Sequence, residues 1–184
     1  MHAPQAGAAR REPEPHPTMA QQNSFDVSTG ADLQEVDNAV NQAAKEVAQR
    51  YDFKGTHASI TFERATATLH MEAPDQYKLD ALLDVLKTRL VRRGVPVRNL
   101  HPEEPEPASG GRMRQAMKLQ QGIPDDAAKR LVKDIKQAGF KKVQSAIQGD
   151  EVRVSSPSRD ELQAVMAFLK EQDYGVELNF GNYR

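Results

Sequence analysis

The sequence contains no cysteine and no tryptophan, and only 5% of its 184 residues are aromatic. The absence of cysteine excludes disulfide bonds, thiolate nucleophiles and cysteine-based zinc sites. It fits a reducing compartment, so we expect a cytoplasmic protein. No apolar run approaches the roughly 20 residues of a membrane-spanning helix, and the N-terminal residues lack a signal-peptide core. We therefore expect no contact with a membrane.

The chain also lacks an excess of charge of one sign. It has 25 Lys and Arg residues against 26 Asp and Glu residues, which gives a formal net charge of −1. Proteins that bind nucleic acids along their whole surface usually carry a basic excess. Any basic binding surface in this protein must therefore be local.

Catalytic motifs are missing as well. The sequence contains no G-x-S-x-G, no P-loop and no G-x-G-x-x-G. Its histidines form no pair at helical spacing that would suit a metal, and they are His2, His16, His57, His70 and His101. We predict a protein that is not an enzyme, with no metal site and no cofactor.

The sequence contains two copies of one pattern of predicted secondary structure. Residues 68–87 and 151–170 both show an alternating strand, then a proline (Pro74 and Pro157), then a helical apolar stripe. Gly94 and Gly175 end the two helices, and a short apolar strand follows each. The repeated order indicates a duplication.

Each copy reads as strand-helix-strand-strand-helix-strand. The predicted strands span residues 24–28, 57–62, 67–71 and 95–100 in the first copy, and 112–121, 142–147, 151–155 and 176–180 in the second. The predicted helices span residues 32–50 and 75–93, then 124–139 and a segment from residue 159. This βαββαβ order is typical of an α+β, ferredoxin-like fold, with an antiparallel four-stranded sheet and both helices on one face.

Two segments lie outside the repeated units. Residues 1–22 lack hydrophobic periodicity, so we expect a disordered tail, and Met19 offers an alternative start. Residues 101–111, HPEEPEPASGG, form a linker rich in Pro and Glu. The predicted domains are therefore residues 23–100 and 112–184.

Candidate binding residues are cations and aromatic rings near strand ends. Arg112, Arg114 and Lys118 share one face of a strand, which suits contact with phosphate, although a charged edge strand would show the same pattern. Phe25, Phe53 and Tyr183 are candidates for stacking on a base, and core packing is the alternative for the phenylalanines. Neither copy has the aromatic pattern of an RNA-recognition domain on its third strand.

Several longer blocks resemble the bacterial YajQ family of nucleotide-binding proteins. They occur in order from residue 24 to residue 184, and they read SFDVST, EVDNAV, RYDFKG, LQQGI, QGDEVRV, RDELQAVM and NFGNYR. We expect the tail before Met19 and the linker rich in Pro and Glu to lie outside the family pattern. The resemblance implies two tandem RNP-like domains that exchange their N-terminal strands. Strand 24–28 would then join the second sheet and strand 113–121 the first.

The resemblance also implies a function and a set of partners. We expect a regulatory protein that binds a purine nucleotide (cyclic di-GMP, GTP or ATP) and acts on transcription, with a transcription factor as a possible partner. Two alternatives are an RNA- or tRNA-binding module and a protein-interaction adaptor.

The matched blocks together with side-chain chemistry suggest roles for individual residues. The residues expected to contact phosphate are Arg114, Lys118, Arg153 and Arg184. Phe53 or Tyr183 is expected to stack on a base, and Asp26 or Asp52 to accept a hydrogen bond from a guanine edge. Phe25, beside Asp26, is a further candidate for the nucleotide site. Lys54, beside Phe53, completes the candidate nucleotide site.

Overall fold

The computed structural model describes residues 21–184, so the expected disordered tail falls almost wholly outside the described residues. Within this range there are four α-helices and nine β-strands. The helices are α1 (Leu33–Gln49), α2 (Gln76–Arg92), α3 (Asp125–Gln137) and α4 (Arg159–Lys170). The strands are β1 (Asn23–Ser28), β2 (Ser59–Glu63), β3 (Thr68–Ala73), β4 (Leu100–Pro102), β5 (Glu106–Pro107), β6 (Met113–Leu119), β7 (Gln144–Gln148), β8 (Glu151–Ser156) and β9 (Asn179–Gly181).

Three of the helices begin at a residue whose side chain caps the first turn. Asp32 and Asp75 each accept a hydrogen bond from a backbone N–H of the first turn at 2.8 Å, and Ser158 does so at 3.3 Å. These bonds satisfy N–H groups that have no partner inside the helix. The Ser158 N–H itself donates to the Ser156 hydroxyl at 3.1 Å.

The strands form two sheets that exchange a strand, as the family resemblance implies. The β1 sheet has the order β7-β8-β1-β9, and the β6 sheet has the order β2-β3-β6-β4, with β5 also paired to β6. All of these pairings are antiparallel. Thus β1, at the start of the first sequence unit, lies at the centre of the second unit's sheet, and β6 does the reverse. The domain boundaries drawn from sequence stay a prediction.

Each sheet is covered by helices on one face, and a separate hydrophobic core lies between the two layers. Under the β6 sheet, Leu69 and Met117 pack with residues of α1 and α2 such as Leu86. Under the β1 sheet, Phe25 and Val152 pack with residues of α3 and α4. Because side chains alternate along a strand, the residues between these core positions face away from the helices. Each sheet therefore has an open face.

Three predicted segments differ from the structure. Residues Val97–Asn99 form a 3-10 turn, and the strand predicted at 95–100 begins only at Leu100. Pro96 lies just before this turn; it has no N–H to donate to a ladder, which favours a turn at this point. The linker is not free of structure, because β5 and the last two residues of β4 lie within it and pair with β6. The predicted strand 176–180 is likewise only Asn179–Gly181.

A polar junction joins the two halves where the chain crosses between the sheets. The first crossing follows β1, and the second follows β6. The Gly122 N–H donates to the Thr29 carbonyl at 3.1 Å, and the Ala31 N–H donates to Gln121 Oε1 at 3.0 Å. Asn99, which is fully buried, contacts both crossings. The two crossings are therefore hydrogen bonded to each other.

Candidate functional site

The residues predicted to bind a nucleotide lie in three parts of the structure. Asp26, Arg153, Tyr183 and Arg184 come together at one end of the β1 sheet. Asp52, Phe53 and Lys54 follow α1. Arg114 and Lys118 lie on β6, and Phe25 lies in the core of the β1 sheet. Only the first group combines an exposed aromatic ring with several cations.

Asp26 and Arg153 face each other on adjacent strands. Their Cα atoms are register partners in the pairing of β1 with β8. Arg153 donates from Nε to Asp26 Oδ1 at 2.8 Å and from Nη2 to Oδ2 at 3.0 Å, which is a bidentate ion pair. Asn182 Nδ2 donates to the same Oδ2 at 3.0 Å. These donors hold the pKa of the Asp26 carboxyl below its usual range, with Arg153 as the largest cause, although burial opposes the shift.

This ion pair presents Arg153 to solvent. Asp26 is only 5% exposed, whereas the Arg153 side chain is 31% exposed. A guanidinium has five N–H donors, and the bidentate contact uses two of them. Three N–H donors of Arg153 therefore remain for a ligand on the open face of the β1 sheet.

The chain after β9 forms a bulge against β1. Asp26 pairs with Gly181, but Ser24 exchanges backbone hydrogen bonds with Arg184 at 3.0 and 3.1 Å, so the later segment has one extra residue. Asn182 takes up this residue with a φ of +51°. A bulge of this kind redirects the side chains beside it. Here it leaves Tyr183 63% exposed, with its hydroxyl donating to the Phe180 carbonyl at 3.2 Å.

A cleft of about 320 Å³ opens beside this bulge. We call it the Tyr183 cleft, and it is lined by Asn23, Ser24, Arg159, Leu162, Gln163, Met166, Tyr183 and Arg184. Leu162 and Met166 of α4 are buried and supply apolar surface. Arg159, the first residue of α4, donates to Asn23 Oδ1 at 3.2 Å. The cleft thus joins an aromatic ring, two arginines and apolar side chains, which are the groups that bind a base and a phosphate.

Both phenylalanine candidates are buried. Phe25 has no exposed surface and makes an edge-to-face contact with Phe180, with ring centroids 5.8 Å apart. Phe53 is 4% exposed, and cations of Arg50 and Lys78 lie 5.3 and 5.2 Å from its ring centroid. This burial agrees with core packing, the alternative weighed from the sequence, and weighs against stacking on a base at either ring.

The segment after α1 is organised by local pairs. Asp52 accepts from Arg50 Nε and Nη2 at 3.0 and 2.8 Å, and this contact is the main reason why the pKa of the Asp52 carboxyl lies below its usual value. Lys78 donates to the Asp52 carbonyl. Lys54 is exposed and lines a separate cleft of about 440 Å³ between this segment and α1. These groups do not contribute to the Tyr183 cleft.

Arg114 and Lys118 face solvent on β6. Arg114 donates to Glu106 Oε1 of β5 at 2.9 Å, and both side chains are more than half exposed. The alternative of a charged edge strand is wrong, because β6 lies between β3 and β4. Arg112, considered with them, is instead held by Glu72 at 2.6 Å and by the carbonyls of residues 56 and 57.

Sequence reasoning missed Arg159, Gln163 and Asn182 as parts of this site. All three lie in blocks that were recognised, RDELQAVM and NFGNYR. Arg159 appeared only as the start of a helix, and Asn182 gave no signal because its partner Asp26 is 156 residues away. Polar residues within matched blocks were therefore the usable signal.

Metal-binding clusters and membrane-spanning helices are both absent from residues 21–184. Among residues 21–184, no group of three or more His, Asp or Glu side chains is arranged to hold a metal ion. None of the helices in this part of the chain is long and apolar enough to span a bilayer.

The sequence is similar to one protein family and to many known proteins. The family model described as "Nucleotide-binding protein YajQ-like" matches residues 23–184, an interval that includes the linker. A nucleotide-binding protein of Alkaliphilus oremlandii is 48% identical over 166 residues, which cover 90% of this chain and all of that protein. A nucleotide-binding protein of Magnetococcus marinus is 49% identical over 161 residues, which cover 88% of this chain and 98% of that protein. One from Koribacter versatilis is 46% identical over 162 residues, with coverage of 88% and 97%.

Proposed function

This chain belongs to the YajQ-like family of nucleotide-binding proteins, and from that premise we propose that it binds a purine nucleotide at the Tyr183 cleft. The observation that carries this proposal is that several matched sequence blocks lie close together in the structure. Four of the recognised blocks, SFDVST, QGDEVRV, RDELQAVM and NFGNYR, meet at one end of the β1 sheet, although they are up to 160 residues apart in sequence. Side chains of SFDVST, RDELQAVM and NFGNYR line the Tyr183 cleft, and Arg153 of QGDEVRV lies on the adjoining open face.

Each side chain has a role that follows from its exposure and its remaining donors. Tyr183 offers a ring face on which a base can stack. Arg159 and Arg184 supply guanidinium groups for a phosphate, and Arg153 supplies its three free donors on the adjoining open face. Asp26 orients Arg153 rather than accepting from guanine, because three donors already occupy its carboxylate.

The ligand we favour is cyclic di-GMP, with GTP and ATP as the nearest alternatives. A cyclic dinucleotide has two bases and two phosphates, and the arginines lie both in the cleft and on the open face beside it. One half of such a ligand would occupy the cleft, and the other would lie against Arg153. The open face of the β6 sheet would remain free for a protein partner, through which nucleotide binding would regulate transcription.

RNA binding is a weaker candidate. The outward positions of the central strands β3 and β6 carry Thr68, His70, Glu72, Arg114, Ala116 and Lys118. Those of β1 and β8 carry Ser24, Asp26, Ser28, Glu151, Arg153 and Ser155. None of these positions has the Phe or Tyr on which RNA-recognition domains stack bases, and acidic residues are interspersed with basic ones.

Calorimetric titration tests the proposal. The full chain is titrated with cyclic di-GMP, GTP, ATP and a short single-stranded RNA at two salt concentrations. We expect micromolar binding of one nucleotide with shallow salt dependence, because a cleft ligand releases few counterions. Binding of RNA alone with steep salt dependence would favour the RNA module. Absence of all binding, with one protein partner captured without nucleotide, would favour the adaptor.

A matched pair of variants locates the site. Arg153→Ala should weaken nucleotide binding by more than about tenfold, since it removes a charge-assisted contact to phosphate. Arg114→Ala, which removes an exposed arginine from the other sheet, should leave affinity unchanged. The reverse pattern would move the site to the β6 sheet.

A further inference from the structure

We propose that Asn99 is a positioning residue that fixes the register of β9 and thereby places Tyr183 and Arg184. This inference rests on the proposed nucleotide site. It assigns a role in that site to a residue from the segment that leads into the β6 sheet. Asn99 lies immediately before β4 of the β6 sheet, yet it is bonded to the segment that leads into β9.

Both polar atoms of the Asn99 side chain make hydrogen bonds. It has no exposed surface, and its Oδ1 accepts from the Glu177 N–H at 2.9 Å. Its Nδ2 donates to Thr29 Oγ1 at 2.9 Å and to the Gln120 carbonyl at 3.0 Å. Thr29 Oγ1 in turn donates to the Glu177 carbonyl. Asn99, Thr29 and Glu177 thus form a closed set of hydrogen bonds, with both backbone groups of Glu177 engaged.

This set joins the two strands that carry the cleft. Thr29 directly follows β1, and Glu177 lies two residues before β9. A strand of three residues at the edge of a sheet has few ladder bonds to specify its pairing. The hydrogen bonds at Glu177 hold β9 at one end, and the contacts of Asn182 with Asp26 and of Arg184 with Ser24 hold it at the other.

A slip of one residue in the pairing of β9 with β1 would disrupt the proposed nucleotide site. Because side chains alternate between the faces of a strand, such a slip would send Tyr183 and Arg184 to the opposite faces. It would also move Phe180 away from Phe25 in the core. Asn99 is the residue that opposes this slip from outside the β1 sheet. The nucleotide site therefore depends on a side chain that the other sheet's segment supplies.

The test begins without ligand, on the full chain. Amide hydrogen exchange of Ser24 and Arg184, whose N–H groups are bonded to each other's carbonyls, reports the pairing of β1 with the end of the chain. Asn99→Leu should accelerate both by about tenfold or more, with the β7–β8 amides unaffected, because the opening is local. Gln121→Ala is the matched control, since it removes a junction hydrogen bond to Ala31 that does not touch β9.

Thr29→Val provides a second route to the same result. It removes the hydroxyl that donates to Glu177 and should reproduce the acceleration if Asn99→Leu fails to fold. Equal acceleration in Gln121→Ala, or equal acceleration in β7 and β8, would overturn the inference. Either result would mean that Asn99 stabilises the fold in general and does not specifically fix the register of β9.

Nucleotide affinity supplies the functional readout. If the wild-type protein binds a nucleotide, Asn99→Leu or Thr29→Val should weaken binding about tenfold, whereas Gln121→Ala should not. Unchanged affinity in both variants would overturn the positioning role. If the wild-type protein binds no nucleotide, the proposed function fails, and the exchange pattern alone decides whether Asn99 fixes the register of β9.

Discussion

Phe25 offers a direct energetic test of the strand exchange. It comes from the first sequence unit, yet it lies fully buried in the core of the β1 sheet, with its ring 5.8 Å from that of Phe180 at an interplanar angle of 63°. Truncating a buried phenylalanine removes its transfer free energy and leaves a cavity. Phe25→Ala should therefore lower the free energy of unfolding by about 3–5 kcal/mol.

A double-mutant cycle identifies the partner of this ring. Edge-to-face aromatic pairs contribute about 0.5–1.5 kcal/mol beyond the area that they bury. Phe25→Leu and Phe180→Leu should consequently show a coupling energy of this size, measured by urea denaturation monitored by circular dichroism.

The control pairs Phe25→Leu with Leu69→Ala in the other core. Leu69 is equally buried, but it packs under the β6 sheet, so its effect should add to that of Phe25→Leu within about 0.5 kcal/mol. Coupling of Phe25 to Leu69 instead of Phe180 would place β1 in the sheet of its own sequence unit and would refute the exchange.

Three further predictions concern acid sensitivity, backbone geometry and helix capping. The pKa of Asp26 is lower in the folded state, so its stabilising contribution is complete above the unfolded-state pKa of about 4 and is lost as the pH falls through the folded-state pKa. The difference in unfolding free energy between the wild type and Asp26→Asn should therefore shrink from pH 6 to pH 3. A constant difference would contradict this. Gly122 and Gly139 have similar φ angles of +76° and +74°, but an added Cβ would lie 2.7 Å from Asp150 Cβ at Gly122 and would meet no atom within 4 Å at Gly139. Gly122→Ala should therefore lower the free energy of unfolding by at least about 1 kcal/mol more than Gly139→Ala does. Equal losses of stability in thermal denaturation would argue against the close approach. Ser158→Ala should cost about 1 kcal/mol through loss of the α4 cap, and an unchanged urea midpoint would show that the cap is dispensable.

The order of the elements could be predicted from the sequence, because apolar periodicity and capping residues are local signals. The structure confirms the helices predicted from residue 32 and from residue 159. The resemblance to a family, rather than any periodicity, predicted the exchange of β1 and β6, since no local pattern states which sheet a strand joins. The strand expected at 95–100 was wrong because apolar residues there form a 3-10 turn before β4.

The candidate site could be predicted only in part, for the same reason. Arg153, Tyr183 and Arg184 were recognisable as cations and an aromatic ring in matched blocks. The bidentate pairing of Arg153 with Asp26 joins residues 127 apart, and only the register of β1 with β8 brings them together. The bulge at Asn182, which exposes Tyr183, arises from a single extra residue that has no signature in the sequence pattern.

The most direct test of the central claim uses the tyrosine rings. The chain has four tyrosines, so a sample labelled only at tyrosine gives a small set of NMR signals, which Tyr→Phe variants assign. Tyr51 and Tyr77 are 89% and 78% exposed and serve as controls outside the cleft, beside Tyr183 at 63%. On addition of cyclic di-GMP, we expect the Tyr183 ring signals to shift while those of Tyr51 and Tyr77 stay in place. Shifts at Tyr51 or Tyr77 with none at Tyr183 would contradict it.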